Sequence, residues 1–347
     1  METMKAAAKL EPGFGFELVE VPIPKPTAGE VLVKVRLSAI CGTDVHIYQW
    51  DQWAQNRVKP PLIFGHEFCG EVAELGPGVK GVQIGDFVSV ETHFTCGVCR
   101  FCRTGRGHIC QEVKIVGVDR NGCFTEYVTV PAENLWVWNH DLDPEIAAIL
   151  DPYGNAVHTA LACDLAGARV LIIGVGPIGL AAIPVVKRAG AQQVICSDVS
   201  SYRLDLARRF GVDLAVDPRR EDLYAKVREA TGGQGVDVLL EMSGNEKAIN
   251  DGFKCLINGG TASLLGIPSK PVSIDLADAL IFKGATIYGI NGRKMFETWY
   301  QAQALLEGGL DLTPLITHRF PLERIGEGLE LMKAGQCGKI IIDPNGE

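Results

Sequence analysis

Long apolar stretches are missing from this chain. Its longest run without a charged side chain, Val170 to Val186, is interrupted by glycine and proline. It falls short of the roughly 20 apolar residues that a membrane-spanning helix needs. Basic runs are missing as well. Lys and Arg number 33 against 42 Asp and Glu, a net charge of −9, so a phosphate backbone or an anionic lipid surface finds no electrostatic counterpart. Nothing between Met1 and Phe16 has the apolar core of a secretory signal. The expectation is a cytoplasmic protein with neither nucleic-acid nor membrane partners. Charge is scarce overall, at 22% against 47% hydrophobic residues, which excludes disorder. Internal repeats and low-complexity segments are absent too, and 347 residues suggest two domains.

Cysteine, in contrast, is abundant: eleven residues, an odd number, in a long chain without an export signal. That argues against a disulfide framework. Four of them, Cys96, Cys99, Cys102 and Cys110, crowd into TCGVCRFCRTGRGHIC. A knuckle with two residues between thiolates presents three soft ligands, and a glycine-containing return brings the fourth. Four thiolates close a zinc shell, so this ion staples a loop and does no chemistry. The competing reading, a redox-active thiol pair, lacks the βαβ surroundings such thiols keep. Cys69, Cys123, Cys163, Cys196, Cys255 and Cys337 are scattered and read as small buried residues.

The first half alternates short β segments with Gly and Pro: LVEVPIP, VLVKVRLSAI, GEVAELG, GDFVSVE and TEYVTVPA. A helical stretch follows from Pro144 to about Ala162. From Ala168 apolar strands alternate with helices: RVLIIGVG, a helix with Pro184 inside it, QVICSDV, a helix, LAVD, a helix, VDVLLEMSG, a helix around AINDGFKCLING, TASLLGI, and finally ATIYGI. Such alternation implies an α/β fold with a doubly wound parallel sheet. Helical FETWYQAQALLEGG, extended THRFPLE, helical IGEGLELMKAG and the strand KIIID close the chain.

Gly174-Val175-Gly176-Pro177-Ile178-Gly179 is a G-x-G-x-x-G between a strand and a helix, the setting in which it binds a dinucleotide. Gly174 allows the turn, Gly176 lets a pyrophosphate approach, and Gly179 lets helix and strand pack. Nineteen residues beyond Gly179, Asp198 is placed to accept the ribose hydroxyls and repel a 2′-phosphate, which favours NAD over NADP. Arg203, just beyond, is the one feature that tolerates such a phosphate. In the first half, Cys41-Gly42-Thr43-Asp44-Val45-His46 and Gly65-His66-Glu67 together offer a thiolate, an imidazole and a carboxylate. That set suits a catalytic zinc with an exchangeable position.

On these motifs the chain resembles the zinc-dependent medium-chain alcohol dehydrogenase superfamily along its whole length. IYQWDQWAQ, DPYGNAVHTAL, MFETWY and LDLTPLITHRF narrow the resemblance to its threonine-oxidising members. The resemblance implies a β-rich GroES-like zinc-bearing domain from 1–155 and 295–347, and a Rossmann NAD-binding domain from 156–294. Cys41, His66 and Glu67 are implied as ligands of the catalytic zinc, with Cys96, Cys99, Cys102 and Cys110 on the structural one, two zinc ions per chain. An Arg partner for Glu67, with water completing the shell, is the alternative. Thr43 and His46 are implied as a proton relay and Asp151 as an acidic neighbour of the metal-bound water. Ile178, Asp198, Arg203, Leu265-Gly266-Ile267 and Ile290-Asn291 align with cofactor contacts. Asn291 stands where the family pattern has Tyr. The implied reaction converts L-threonine and NAD to 2-amino-3-oxobutanoate and NADH. A polyol or secondary-alcohol dehydrogenase of sorbitol or butanediol type is the alternative, and a homotetramer is the implied assembly. His93, His108, His140, His158 and His318 read as structural.

Overall fold

The computed structural model describes residues 2–138 and 142–346; His140 lies outside them. The contacts divide the chain into two compact units, Met1–Asp151 with Ile316–Glu347, and Pro152–Leu315.

The first unit is built on a seven-stranded sheet. Its strands run Leu135–Val137, Phe87–Val90, Glu67–Leu75, Glu30–Ala39, Lys339–Asp343 and Ile316–Pro321 in spatial order, and Tyr127–Pro131 also pairs with Glu30–Ala39. Alternation explains the central strand: Val31, Val33 and Val35 are buried while Lys34 and Arg36 face solvent. Their face meets Phe68, Val72, Val88 and Val130 in one core. A second core lies under the helices Gly42–Gln49 and Ile325–Lys333, where Ile40, Phe64, Leu329 and Ile340 pack. A smaller sheet places Thr3–Lys9 between Glu17–Pro22 and Leu62–Ile63. The strand Thr3–Lys9 and the helices Gly42–Gln49 and Gln52–Arg57 were not legible in the sequence pattern; both helices are short, and neither carries a continuous apolar stripe.

The second unit is a six-stranded, all-parallel sheet. Its spatial order is Leu214–Val216, Gln193–Ser197, Arg169–Ile173, Val236–Glu241, Leu256–Leu264, Thr286–Gly289. Val170, Leu171 and Ile172 are fully buried, as expected of a strand covered on both faces. Chain order reverses between Arg169–Ile173 and Val236–Glu241, and this topological switch opens a crevice at the carboxyl ends of the strands. The helix Pro177–Arg188 runs on through Pro184. The helix expected over 248–259 stops at Cys255, because Leu256 is already buried and paired with Val236. Beyond 295 the helix Glu297–Glu307 groups with this second unit, and the chain returns to the first only at Ile316. The turn Thr313–Leu315 packs on the helices Pro177–Arg188 and Ser201–Arg209, which keeps this segment with the parallel sheet. The six scattered cysteines are buried.

Candidate metal centres and dinucleotide site

Cys41 follows the central strand and caps the helix Gly42–Gln49. His66 and Glu67 stand at the start of the neighbouring strand, where Ala39 pairs with Glu67. Pairing of these two strands brings residues 41, 66 and 67 together, and the turn before them needs Gly65, whose φ is +92°. A side chain there would press to 2.7 Å from the Phe124 ring. One ligand atom each from Cys41, His66 and Glu67 lies within 4.8 Å of the others.

The surroundings of this trio are polar and buried. Asp44 Oδ2 accepts the Cys41 amide at 2.8 Å, while its Oδ1 lies 3.7 Å from His66 Nδ1. The Nδ1 edge of the imidazole thus faces a carboxylate, beyond hydrogen-bond distance, and both atoms are buried without a hydrogen-bond partner. Glu67 Oε2 takes an ion pair from Lys339 Nζ, which also donates to the Ile40 carbonyl at 2.6 Å. Sequence reading left open an Arg partner for Glu67; the partner is Lys339, contributed by the last strand, and no local motif announces it. Burial pushes the Glu67 carboxyl well up and the Cys41 thiol up, with the Lys339 ammonium opposing both. Burial alone would lower Lys339, but Glu67 and Cys41 outweigh it and hold its charge. Glu67 Oε1 and Asp44 Oδ1 are buried without a hydrogen-bond partner. Buried charges of this kind call for a counter-ion, and a mixed sulfur, nitrogen and oxygen set fits zinc.

Thr43 Oγ1 lies 3.8 Å from Cys41 Sγ. His46, four residues into the same helix, is half exposed and its Nδ1 meets Asp51 Oδ2 at 2.5 Å. Despite some burial, this contact holds the Asp51 carboxyl below its usual range. Asp51, which also accepts the amides of Trp53 and Ala54, is a residue the sequence reading missed. Trp53 stands beside the His46 ring, and the Trp50 ring receives the Lys9 ammonium. Asp151 is buried, accepts Thr92 Oγ1 at 2.8 Å, and its charge helps to raise both Cys41 and Glu67.

The four-cysteine loop forms a second cluster. Sulfur separations of 3.5 Å between Cys99 and Cys102, 3.6 Å between Cys96 and Cys110 and 4.0 Å between Cys99 and Cys110 rule out disulfides. They approach the edge of about 3.8 Å that a tetrahedron of sulfurs has around zinc at ~2.3 Å. Backbone amides of Cys96, Cys99 and Glu112 donate to the sulfurs of Cys110 and Cys96 at 3.4 Å.

In the second unit the three glycines differ in what surrounds them. Gly174 has φ +83°, and a Cβ there would sit 2.8 Å from Ser243. A Cβ on Gly179 would lie 2.1 Å from the Gly174 carbonyl, whereas one on Gly176 would come no nearer than 3.9 Å to Arg203. Gly176 therefore opens onto free space at the amino end of the helix Pro177–Arg188, where Ile178 lies in the first turn. Asp198 accepts the Val175 amide through Oδ2 and the Ser200 amide through Oδ1, both at 2.8 Å. The same carboxylate thus fixes the glycine turn. A crevice of about 650 Å³ brings together Gly174, Gly176, Asp198, Arg203 and, unforeseen, Arg219. Arg203 Nε is buried there without a partner. Leu265 and Gly266 donate their amides to the Glu241 carbonyl, Ile267 is 92% exposed, and the Ile290 amide bonds to Leu264. The buried Glu241 carboxylate, raised by burial, accepts the amides of Ser243 and Gly244 and so locks the neighbouring turn.

Known domains match both parts of the chain. Residues 27–140 match the alcohol dehydrogenase GroES-like domain and residues 177–308 the zinc-binding dehydrogenase domain. The chain belongs to the zinc-dependent medium-chain alcohol dehydrogenase family. Among its relatives, L-threonine 3-dehydrogenase of Bacillus velezensis is 52% identical over 343 residues, 98% of this chain and 99% of that one. L-threonine 3-dehydrogenase of Pyrococcus horikoshii is 50% identical over 342 residues, 98% of each. Of solved structures, 2R,3R-butanediol dehydrogenase from Bacillus subtilis superposes with a TM-score of 0.89 at 30% identity, over 99% of this chain and 100% of that one. A Sinorhizobium meliloti dehydrogenase described as zinc-binding, and bound to NADP, gives 0.92 at 29% identity, over 99% and 100%.

Proposed function

We propose that this protein oxidises the 3-hydroxyl of L-threonine with NAD, giving 2-amino-3-oxobutanoate and NADH. Full-length identity of about half to curated L-threonine 3-dehydrogenases carries the choice of substrate. Cys41, His66 and Glu67 would hold one zinc ion, and the four-cysteine loop a second. When bound, the first ion supplies an open position that acidifies an alcohol, and the dinucleotide accepts the hydride.

The chain's own residues do the rest. Asp44 sets a carboxylate beside the His66 ring, and Lys339 pairs with Glu67 Oε2, so that Oε1, without a hydrogen-bond partner, would be free to serve the ion. Thr43, beside the Cys41 sulfur, would accept the hydroxyl proton while giving up its own, and His46, its ring fixed by Asp51, would accept a proton from the relay and release one to solvent. Asp151 supplies a further carboxylate near the ligand set. The amides at Gly176 and the first turn of the helix receive the pyrophosphate, Asp198 the ribose hydroxyls, and Leu265-Gly266-Ile267 with Ile290-Asn291 the nicotinamide end. Asp198 favours NAD, although the NADP-bound neighbour keeps the phosphorylated cofactor as an arm of the test.

NADH formation from threonine, sorbitol and butane-2,3-diol, each with NAD and NADP, is the decisive assay. Threonine with NAD is expected to be the most efficient pair. Turnover of butanediol in preference to threonine would instead assign the activity that names the Bacillus subtilis neighbour. Metal analysis is expected to give two zinc ions per chain. A homotetramer in the cytoplasm is the assembly and location we infer. The exposed strand Thr286–Gly289, with Ile281 and Phe282 beside it in sequence, supports self-association through that edge.

A further inference from the structure

Arg219 follows the shortest strand of the parallel sheet, and nothing in the sequence singled it out. Its guanidinium is held flat by two bonds to Asp217, Nε to Oδ1 at 3.0 Å and Nη2 to Oδ2 at 2.8 Å. Slightly more than half of the side chain is exposed, so part of the guanidinium stays open to the crevice it lines. It lines the same crevice as Gly174, Gly176 and Asp198, close enough to Asp198 for the two charges to interact. Two apolar side chains lie in the same wall, Pro218 and Val199, the latter 54% exposed. An uncovered valine and a proline beside a pinned guanidinium make a slot for a flat aromatic ring. Guanidinium planes stack on such rings, and a plane already fixed by a carboxylate loses little entropy in doing so.

We infer that Arg219 is a contact residue for the adenine end of the dinucleotide, its guanidinium covering a base laid on Val199 and Pro218. Asp217 is then a positioning residue that acts through Arg219. The inference rests on reading this crevice as the dinucleotide site, and it assigns one side chain to one half of the ligand. An arginine that only tied the chain to Asp217 would support the fold and be indifferent to which half of a cofactor is offered.

The test compares ligands that have and lack adenine, using the zinc-loaded full-length protein. Arg219→Ala is expected to raise the Kd for NADH and for ADP-ribose by the same factor, about tenfold for a stacked guanidinium. Turnover with nicotinamide mononucleotide, which has no adenine, is expected to stay at the wild-type rate. Arg219→Lys keeps the charge and loses the plane, so its loss should approach that of the alanine variant. Asp217→Asn, which relaxes the plane, should lie in between. Equal losses with the mononucleotide and with NADH, or an unchanged NADH Kd beside a lowered melting temperature, would overturn the assignment. Failure of the wild-type protein to bind NADH and ADP-ribose would instead remove the dinucleotide reading beneath it.

Discussion

Lys339 shows what one residue can do that no motif records. It is 272 positions from Glu67, yet both side chains are buried and paired, with the backbone carbonyl of Ile40 as a second acceptor for the ammonium. Removing one partner of such a pair leaves an uncompensated charge. Lys339→Met in the zinc-stripped protein should therefore cost about 3–5 kcal/mol in chemical denaturation. Zinc binding to the variant should recover part of that loss; equal stability with and without zinc would show that Glu67 does not face the metal. Asp44 acts one step further back. Asp44→Asn is expected to weaken zinc by roughly 10–100-fold in a chelator competition, because the carboxylate charge 3.7 Å from His66 Nδ1 is removed. Asp217 offers a pH signature. Its bonds to Arg219 hold the carboxyl at about 2 rather than 3.8. A carboxyl lowered in the folded state contributes stability above its unfolded value and loses it as pH falls toward the folded one. The contribution should fade between about pH 4 and pH 2. Arg219→Ala should raise the carboxyl in a carbon-detected titration; a value already near 4 in the wild type would deny the pairing. These side chains were invisible to sequence reading because their partners are distant in the chain, or are aspartates of ordinary appearance.

At the scale of elements, legibility followed periodicity. The parallel strands are short, mostly apolar segments, RVLII, QVICS and VDVLLE, set between helical stretches, so Arg169–Ile173, Gln193–Ser197 and Val236–Glu241 announced themselves. The metal ligands were legible as residue types, but the helix Gly42–Gln49 that carries Thr43 and His46 was not, since its buried side chains, Asp44 and Ile47, include a carboxylate. Strand pairing, not spacing, brings Cys41 to His66 and Glu67, and Glu67 to Lys339. The four-cysteine loop lies at the other extreme, since its ligands are local and its spacing alone foretold the cluster. It has little regular structure beyond the single turn Arg100–Arg103 and the 3-10 turn Gly107–Ile109. Its order should therefore depend on the ion. Cys102→Ser, or a chelator strong enough to remove the structural zinc, is expected to speed amide hydrogen exchange across residues 95–112 while leaving 169–264 unchanged. Unchanged exchange in the loop would mean that hydrogen bonding holds it without metal.

At the scale of the whole molecule, the exposed sheet edge is the feature left without a use inside one chain. All four residues of Thr286–Gly289 are exposed, and among the described residues this strand pairs on one side only, with Leu256–Leu264. Nearby in sequence, Leu276 is 57%, Ile281 70% and Phe282 75% exposed. A monomer leaving an unprotected strand edge next to uncovered apolar side chains invites uncontrolled pairing, and the usual remedies of charge, proline or a bulge are absent from TIYG. Covering this edge with the same edge of a second copy satisfies both at once, as a two-fold interface does. The double variant Ile281→Lys, Phe282→Lys places like charges across that two-fold and should sediment as a smaller species than the wild type. Because the dinucleotide crevice is formed at the carboxyl ends of other strands, NADH affinity of the dissociated form should stay within about twofold of the parent. A wild type that already sediments as a monomer, or a double variant that keeps its full mass, would place the interface elsewhere and leave this edge protected by means the single chain does not reveal.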